Sequence, residues 1–166
     1  MNTKDLLKIE LEKGVISRIY RKTYQSIIER SADNGYFEES LTGAYSGEYC
    51  RTIGGYVPLM LETGNIQKAK KALEFVFESM MRNDLKKIPH TLGNFDESVS
   101  DVSGQWAGTD DQIDGRAHVV LAYAKLCSEF NEVEFENKYY ELVKNEMISF
   151  MDQPYFYYQP GMDIWS

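Results

Sequence analysis

Three carboxylates stand within five residues of one another: Asp110, Asp111 and Asp114. Such a group can accept hydrogen bonds from a polar ligand, move protons, or collect a hard cation. Its setting narrows the choice. Thr109 precedes it and Gln112 follows Thr109 by three positions, a capping-box spacing that predicts a helix starting at Thr109. Asp110 and Asp111 then sit in the first turn, where the positive end of the helix dipole favours negative charge. Capping explains this pair as well as chemistry does. Asp114 lies one turn further in and shares a face with Asp110 and His118. The opposite face carries Ile113, Ala117, Val120, Leu121 and Ala124 at the spacing of a buried stripe. Asp114 also precedes Gly115, and Asp-Gly is a poor pair inside a helix. A local rule broken inside a consistent helix points to function, which makes Asp114 the first candidate and Asp111 the second.

Further elements are needed to position these residues. From Thr3 to Ser31 the pattern is helical, with Ile16, Ile19, Tyr20, Thr23, Tyr24, Ile27 and Ile28 on one face and a bend or break expected at Gly14. Ala32 to Gly47 reads as a loop with Asn-Gly and Thr-Gly punctuation. Ser46 can cap a second helix to about Thr63, with Tyr49, Cys50, Ile53, Val57, Met60 and Leu61 inward. Gly54, Gly55 and Pro58 interrupt that helix; the glycines allow close helix contact and the proline predicts a kink. Gly64 stops it and Asn65 starts the next, Ile66 to about Asn83, with Ile66, Ala69, Leu73, Val76, Phe77 and Met80 inward. Lys86 to Gly108 is a long crossing rich in Gly, Ser, Asn and Asp, a length that is uncommon without a function. The Asp helix then runs to about Phe130. After a tight turn, Val133 to about Met151 follows, with Phe135, Tyr139, Leu142, Val143 and Phe150 inward. Short turns fall within hairpins and long loops between them. The reading is an all-α single domain, 1–166, of antiparallel helical hairpins with its long loops on one face.

Composition excludes several classes. The 166 residues are 43% hydrophobic and 27% charged, as in ordinary soluble domains. The net charge is -8 and no basic stripe is visible, which argues against a general nucleic-acid binder. No apolar run approaches membrane-spanning length. Met1 to Asp5 lacks the apolar core of a signal peptide, so the cytoplasm is expected unless a leader has been removed. Cys50 and Cys127 are isolated, as small core residues would be, and neither a disulfide framework nor a metal site is expected. No Ser-His-Asp order, phosphate-cradling glycine loop or zinc spacing occurs, and no cofactor is implied. Aromatic residues are the outlier, with 12 Tyr, 8 Phe and 2 Trp. Tyr36, Phe37, Tyr45, Trp106 and Tyr155 to Tyr158 fall in expected loops, where they either contact a partly polar ligand or anchor the loop.

Two segments carry a resemblance. One is Gly47-Glu48-Tyr49-Cys50-Arg51-Thr52-Ile53-Gly54-Gly55-Tyr56-Val57-Pro58-Leu59, followed by Glu62-Thr63-Gly64-Asn65. The other is Asp111-Gln112-Ile113-Asp114-Gly115-Arg116-Ala117-His118. Together they resemble inner-helix starts of the six-hairpin glycosidase superfamily, the (α/α)6 toroids of glucoamylase-like enzymes. The resemblance covers about the first half of such a barrel. It implies a partial toroid, an oligosaccharide ligand, and hydrolysis of glycosidic bonds if the barrel is completed. A glycosidase needs two carboxyls, roughly 5–9.5 Å apart, and one of them stays protonated. Asp114 and Asp111 are the candidates.

Substrate contacts would come from Glu48, Arg51, Trp106, Asp110 and His118. Arg51 can fork to a carboxylate or to sugar hydroxyls, and an Arg51–Asp114 structural ion pair is its alternative. Trp106 is a stacking platform or a loop anchor. His118 is a proton-transfer residue or a buried, satisfied histidine. His90, beside Pro89 in an expected loop, is uninformative by itself. Two other classes compete. Asp110 to Asp114 matches the DDxxD motif of magnesium-dependent prenyl diphosphate enzymes, but no second acidic motif accompanies it. A non-catalytic helical scaffold or sugar-binding module fits the same pattern. An open half-barrel would leave an apolar edge, so a homodimer, or completion by the missing half, is expected.

Overall fold

The computed structural model describes residue 5 and residues 13–39, 47–93 and 113–151. Among them the chain is mostly helical: α1 (Val15–Arg30), β1 (Glu48–Tyr49), α2 (Cys50–Glu62), α3 (Ile66–Arg82), β2 (Thr91–Leu92), α4 (Ile113–Phe130) and α5 (Val133–Met151). The all-α expectation holds for these residues, with one two-residue ladder added. None of the described helices is long and apolar enough to cross a membrane. The chain divides into two compact units, Met1–Ala32 and Asp33–Ser166.

In the first unit, α1 begins after Gly14, whose φ of 55° and ψ of 32° are left-handed. Only glycine adopts that conformation cheaply, so the helical run breaks there. Tyr20 and Tyr24 stack in parallel, 6.3 Å apart. The apolar face of α1 exists, yet none of its residues is buried, and Ile19 is 61% exposed.

The second unit holds the core. α2 and α3 form a hairpin closed by Thr63, Gly64 and Asn65. The Asn65 amide donates to the Met60 carbonyl at 2.7 Å, and the Asn65 side chain turns back to the Thr63 carbonyl at 3.2 Å. The expected inward residues Ile53, Val57, Met60, Ala69, Leu73, Val76 and Phe77 are fully enclosed. α4 and α5 form the second hairpin, turned at Asn131, which takes a positive φ of 53°. Asparagine tolerates that region better than most side chains.

The hairpins pack in register. A Cβ on Gly115 would lie 3.2 Å from the Arg51 backbone nitrogen, and one on Gly54 would lie 2.1 Å from His118 Cβ. Numbers rise together along both helices, so α2 and α4 run parallel in close contact. α3 and α5 also run side by side. Lys70 meets Glu132 at 2.6 Å, Lys138 meets Glu74 at 3.1 Å, and the Tyr139 hydroxyl donates to Glu78 at 2.6 Å. Between these layers sit Phe77, Tyr123, Phe135 and Tyr139, with the Phe77 and Tyr139 ring centres 4.9 Å apart.

Two expectations require correction. The second helix does not start near Ser46, which lies outside the described residues, but at Cys50. Glu48 and Tyr49 pair instead with Leu92 and Thr91, and the Cys50 amide continues the ladder to the His90 carbonyl at 3.1 Å. A two-residue ladder leaves no periodic trace in a sequence. The expected stripe of α4 is also not its buried face. Leu121 is 65% exposed and Ala124 is exposed, whereas Gly115, Arg116, Val119, Ala122, Tyr123, Leu126 and Cys127 are buried beside Val120. Val119 to Ala124 is apolar all round, so periodicity could not choose a face.

Candidate functional site

α2 and α4 start at the same end of the second unit, beside the β1–β2 ladder, and of the described ionisable residues singled out in the sequence Glu48, Arg51, His90 and Asp114 lie there. Asp114 is exposed in the first turn of α4, and one carboxylate oxygen accepts the Gly115 amide at 2.8 Å. Arg51 is half-buried in the first turn of α2. His90, 3% exposed, stands between their influences. Burial holds its imidazole below the usual range; the Arg51 charge pushes the same way and the Asp114 charge opposes it. His90 is therefore neutral at neutral pH, and its ring meets Tyr49 edge-on at 5.1 Å.

Glu48 departs from its expected role. It is fully buried, not turned to a ligand, and one carboxyl oxygen accepts the Phe37 amide at 2.7 Å. The other oxygen has no hydrogen-bond partner among the described residues. Burial drives the Glu48 carboxyl well above the usual range, and the Phe37 amide opposes this only in part. The Cys50 thiol two residues on is fully buried and pushed up by burial first, then by Glu48 and Glu146. Cys50 and Cys127 are free, buried thiols; burial pushes Cys127 up to about 11. Both are protonated core groups and poor nucleophiles.

Arg116, which stands in the second resembling segment without a role of its own, and Glu146, which the sequence reading does not single out, are almost completely enclosed, each 1% exposed. Arg116 Nε donates to one Glu146 oxygen, and the Ile88 amide donates to the other at 3.2 Å. The pair ties α4 and α5 to the segment entering β2. Its signal was present. Glu146 follows Tyr139 and Val143 at inward spacing, and Arg116 precedes Val119, Val120 and Tyr123 in the same way. A charge at an inward position implies a partner.

Other candidates fall differently. His118 is exposed on α4, so the buried reading does not hold; its Cβ lies against Gly54. Trp106, Asp110 and Asp111 lie outside the described residues, as do the capping pair Thr109 and Gln112. Phe37 is 3% exposed and stacks on Tyr56 at 4.5 Å, and Tyr36 meets Phe75 edge-on at 5.6 Å. These two loop aromatics are anchors. Among the described residues no group of three His, Cys, Asp or Glu could hold a metal ion.

Asp114 and Arg51 thus set an exposed carboxylate and a half-buried guanidinium at one end, a hydrogen-bond acceptor and a donor group of opposite charge. Comparison of the chain with protein-family models, with curated proteins and with solved structures finds no match.

Proposed function

We propose that this chain binds an oligosaccharide at the end where α2 and α4 begin, as part of an α/α-hairpin toroid resembling the six-hairpin glycosidases. The supporting observation is the parallel, start-to-start contact of α2 and α4 at Arg51 and Gly115. Each of these helices is followed by a short turn and a returning helix, and the first turns carry Arg51 and Asp114. Repeated hairpins with parallel inner helices are what a toroid is built from. Asp114 would accept from sugar hydroxyls and Arg51 would donate to them; Trp106, Asp110 and His118 are the further contacts that the sequence suggests. Hydrolysis requires a second carboxyl at about 5–9.5 Å, for which Asp111 is the candidate.

Calorimetric titration with oligosaccharides of varied linkage tests this reading. At least one should bind. Asp114→Asn and Arg51→Gln should each weaken it about tenfold, since a hydrogen bond to a charged group contributes roughly 1.5–3 kcal/mol. Circular dichroism should stay unchanged. No bound sugar, or two variants that bind like the parent chain, would overturn the proposal. A non-catalytic helical scaffold is the second reading. The enclosure of Glu48 and the pairing of Arg116 with Glu146 favour it, because they commit ionisable groups near this end to holding the fold.

A further inference from the structure

α4 and α5 leave between them an open groove of about 460 Å³, lined by Ala124 and Ser128 on one side and Glu136, Tyr140, Lys144 and Met147 on the other. Of its lining, Tyr140 is 50% and Met147 45% exposed, and on the same two helices Leu121 is 65% and Met151 74% exposed. Along α5 the exposed Val133, Tyr140 and Met147 recur at the seven-residue spacing of a helix–helix seam. Glu136 and Lys144 flank Tyr140 four residues to either side.

That arrangement is self-complementary. Set α5 antiparallel to a second α5 about a two-fold axis through Tyr140. Tyr140 then meets its own copy, Val133 meets Met147, and Glu136 meets Lys144 with opposite charge, each twice. Two like charges at these positions would have repelled. Within one chain Lys144 bonds Glu141 at 3.1 Å, a pair exposed at 46% and 71%, so a change of partner sacrifices little. We propose that the α4–α5 groove is the dimer interface of this protein. A second copy seats its α5 there, crossing at Tyr140, while Leu121 and Ala124 of α4 close the apolar rim. The groove lies toward the Phe130 end of α4, away from Asp114, and the proposal does not depend on what the Asp114 end binds.

Light scattering coupled to gel filtration tests it on the whole chain. The parent protein should show the mass of a dimer at micromolar concentration. Glu136→Lys and Lys144→Glu should each weaken the dimer roughly tenfold or more, because each creates two like-charge contacts. The double reversal should restore it, which no loss of folding can mimic. On a Cys127→Ser background, because Cys127 lines the groove, Tyr140→Cys should be joined to its own copy by a short bis-maleimide, while the background chain, with only the buried Cys50, should not. A parent chain that is monomeric throughout overturns the proposal. So does a dimer indifferent to both single reversals, a double reversal that fails to restore it, or an uncrosslinked Tyr140→Cys variant.

Discussion

Glu48 concentrates the residue-scale argument, because its carboxyl is enclosed with one oxygen bonded and the other unpartnered among the described residues. Its folded pKa lies above the unfolded value, so the folded chain holds its proton more tightly. The associated stability is fully present below the ordinary carboxyl range near 4.5 and declines as pH rises through the raised value. Glu48→Gln keeps an acceptor for the Phe37 amide and cannot ionise. We expect the variant to match the parent at acid pH and to exceed it by about 1–3 kcal/mol at alkaline pH. Urea unfolding at both pH values measures the difference. A gap that is constant with pH would mean that Glu48 ionises in the folded chain without penalty. Asp114 is the opposite case, an exposed carboxylate whose substitution should leave stability nearly unchanged and report on ligand alone.

At the scale of the elements, the α2–α4 contact carries the fold. Gly115 looked out of place beside Asp114 in the sequence, and that oddity suggested function. The structure supplies a packing reason instead: a side chain there would press on the Arg51 backbone. Gly54 is tighter still, since its Cβ would fall 2.1 Å from that of His118. Gly54→Ala should therefore force the helices apart and destabilise by about 1–3 kcal/mol, the usual range for overpacking. Gly54→Ala with His118→Gly removes the side chain that the new methyl group would strike and should recover part of the loss. Thermal unfolding of the single and double variants checks this. Simple additivity of the two changes would show that the residues do not meet.

The whole chain divides unevenly. Among the described residues the buried apolar ones all belong to the unit Asp33–Ser166, and α1 in the other unit buries none. The larger unit also contains its own polar ties, Arg116 with Glu146 and Lys138 with Glu74 and Glu78. A chain of residues 33–166 should therefore fold cooperatively on its own. Its melting temperature should stay within about 5 °C of the parent's, a difference of roughly 1 kcal/mol. Differential scanning calorimetry on both chains decides. Loss of the transition on truncation would mean that the first unit is part of the folding core.

Helix type, order and turns were determined by the sequence alone, because they are local. Gly14, Gly64 and Asn131 end or break helices through backbone preferences that need no neighbour, and the stripes of α2, α3 and α5 run along their buried faces, with Ile66 and Leu142 half-buried at the margins and the Phe150 side chain outside the described residues. Candidate residues at the starts of α2 and α4 could be named on the same grounds. The rest is non-local. The β1–β2 ladder joins residues far apart in the chain, which turns Glu48 inward, where burial raises its carboxyl pKa, and brings His90 under the influence of Arg51 and Asp114. The roll of α4 was undetermined because its middle is apolar on every side. Only the approach of Gly115 to α2 and the reach of Arg116 to Glu146 select the face that is buried, leaving Leu121 and Ala124 outside. Periodicity records which faces are apolar; tertiary contact decides which of them has something to pack against.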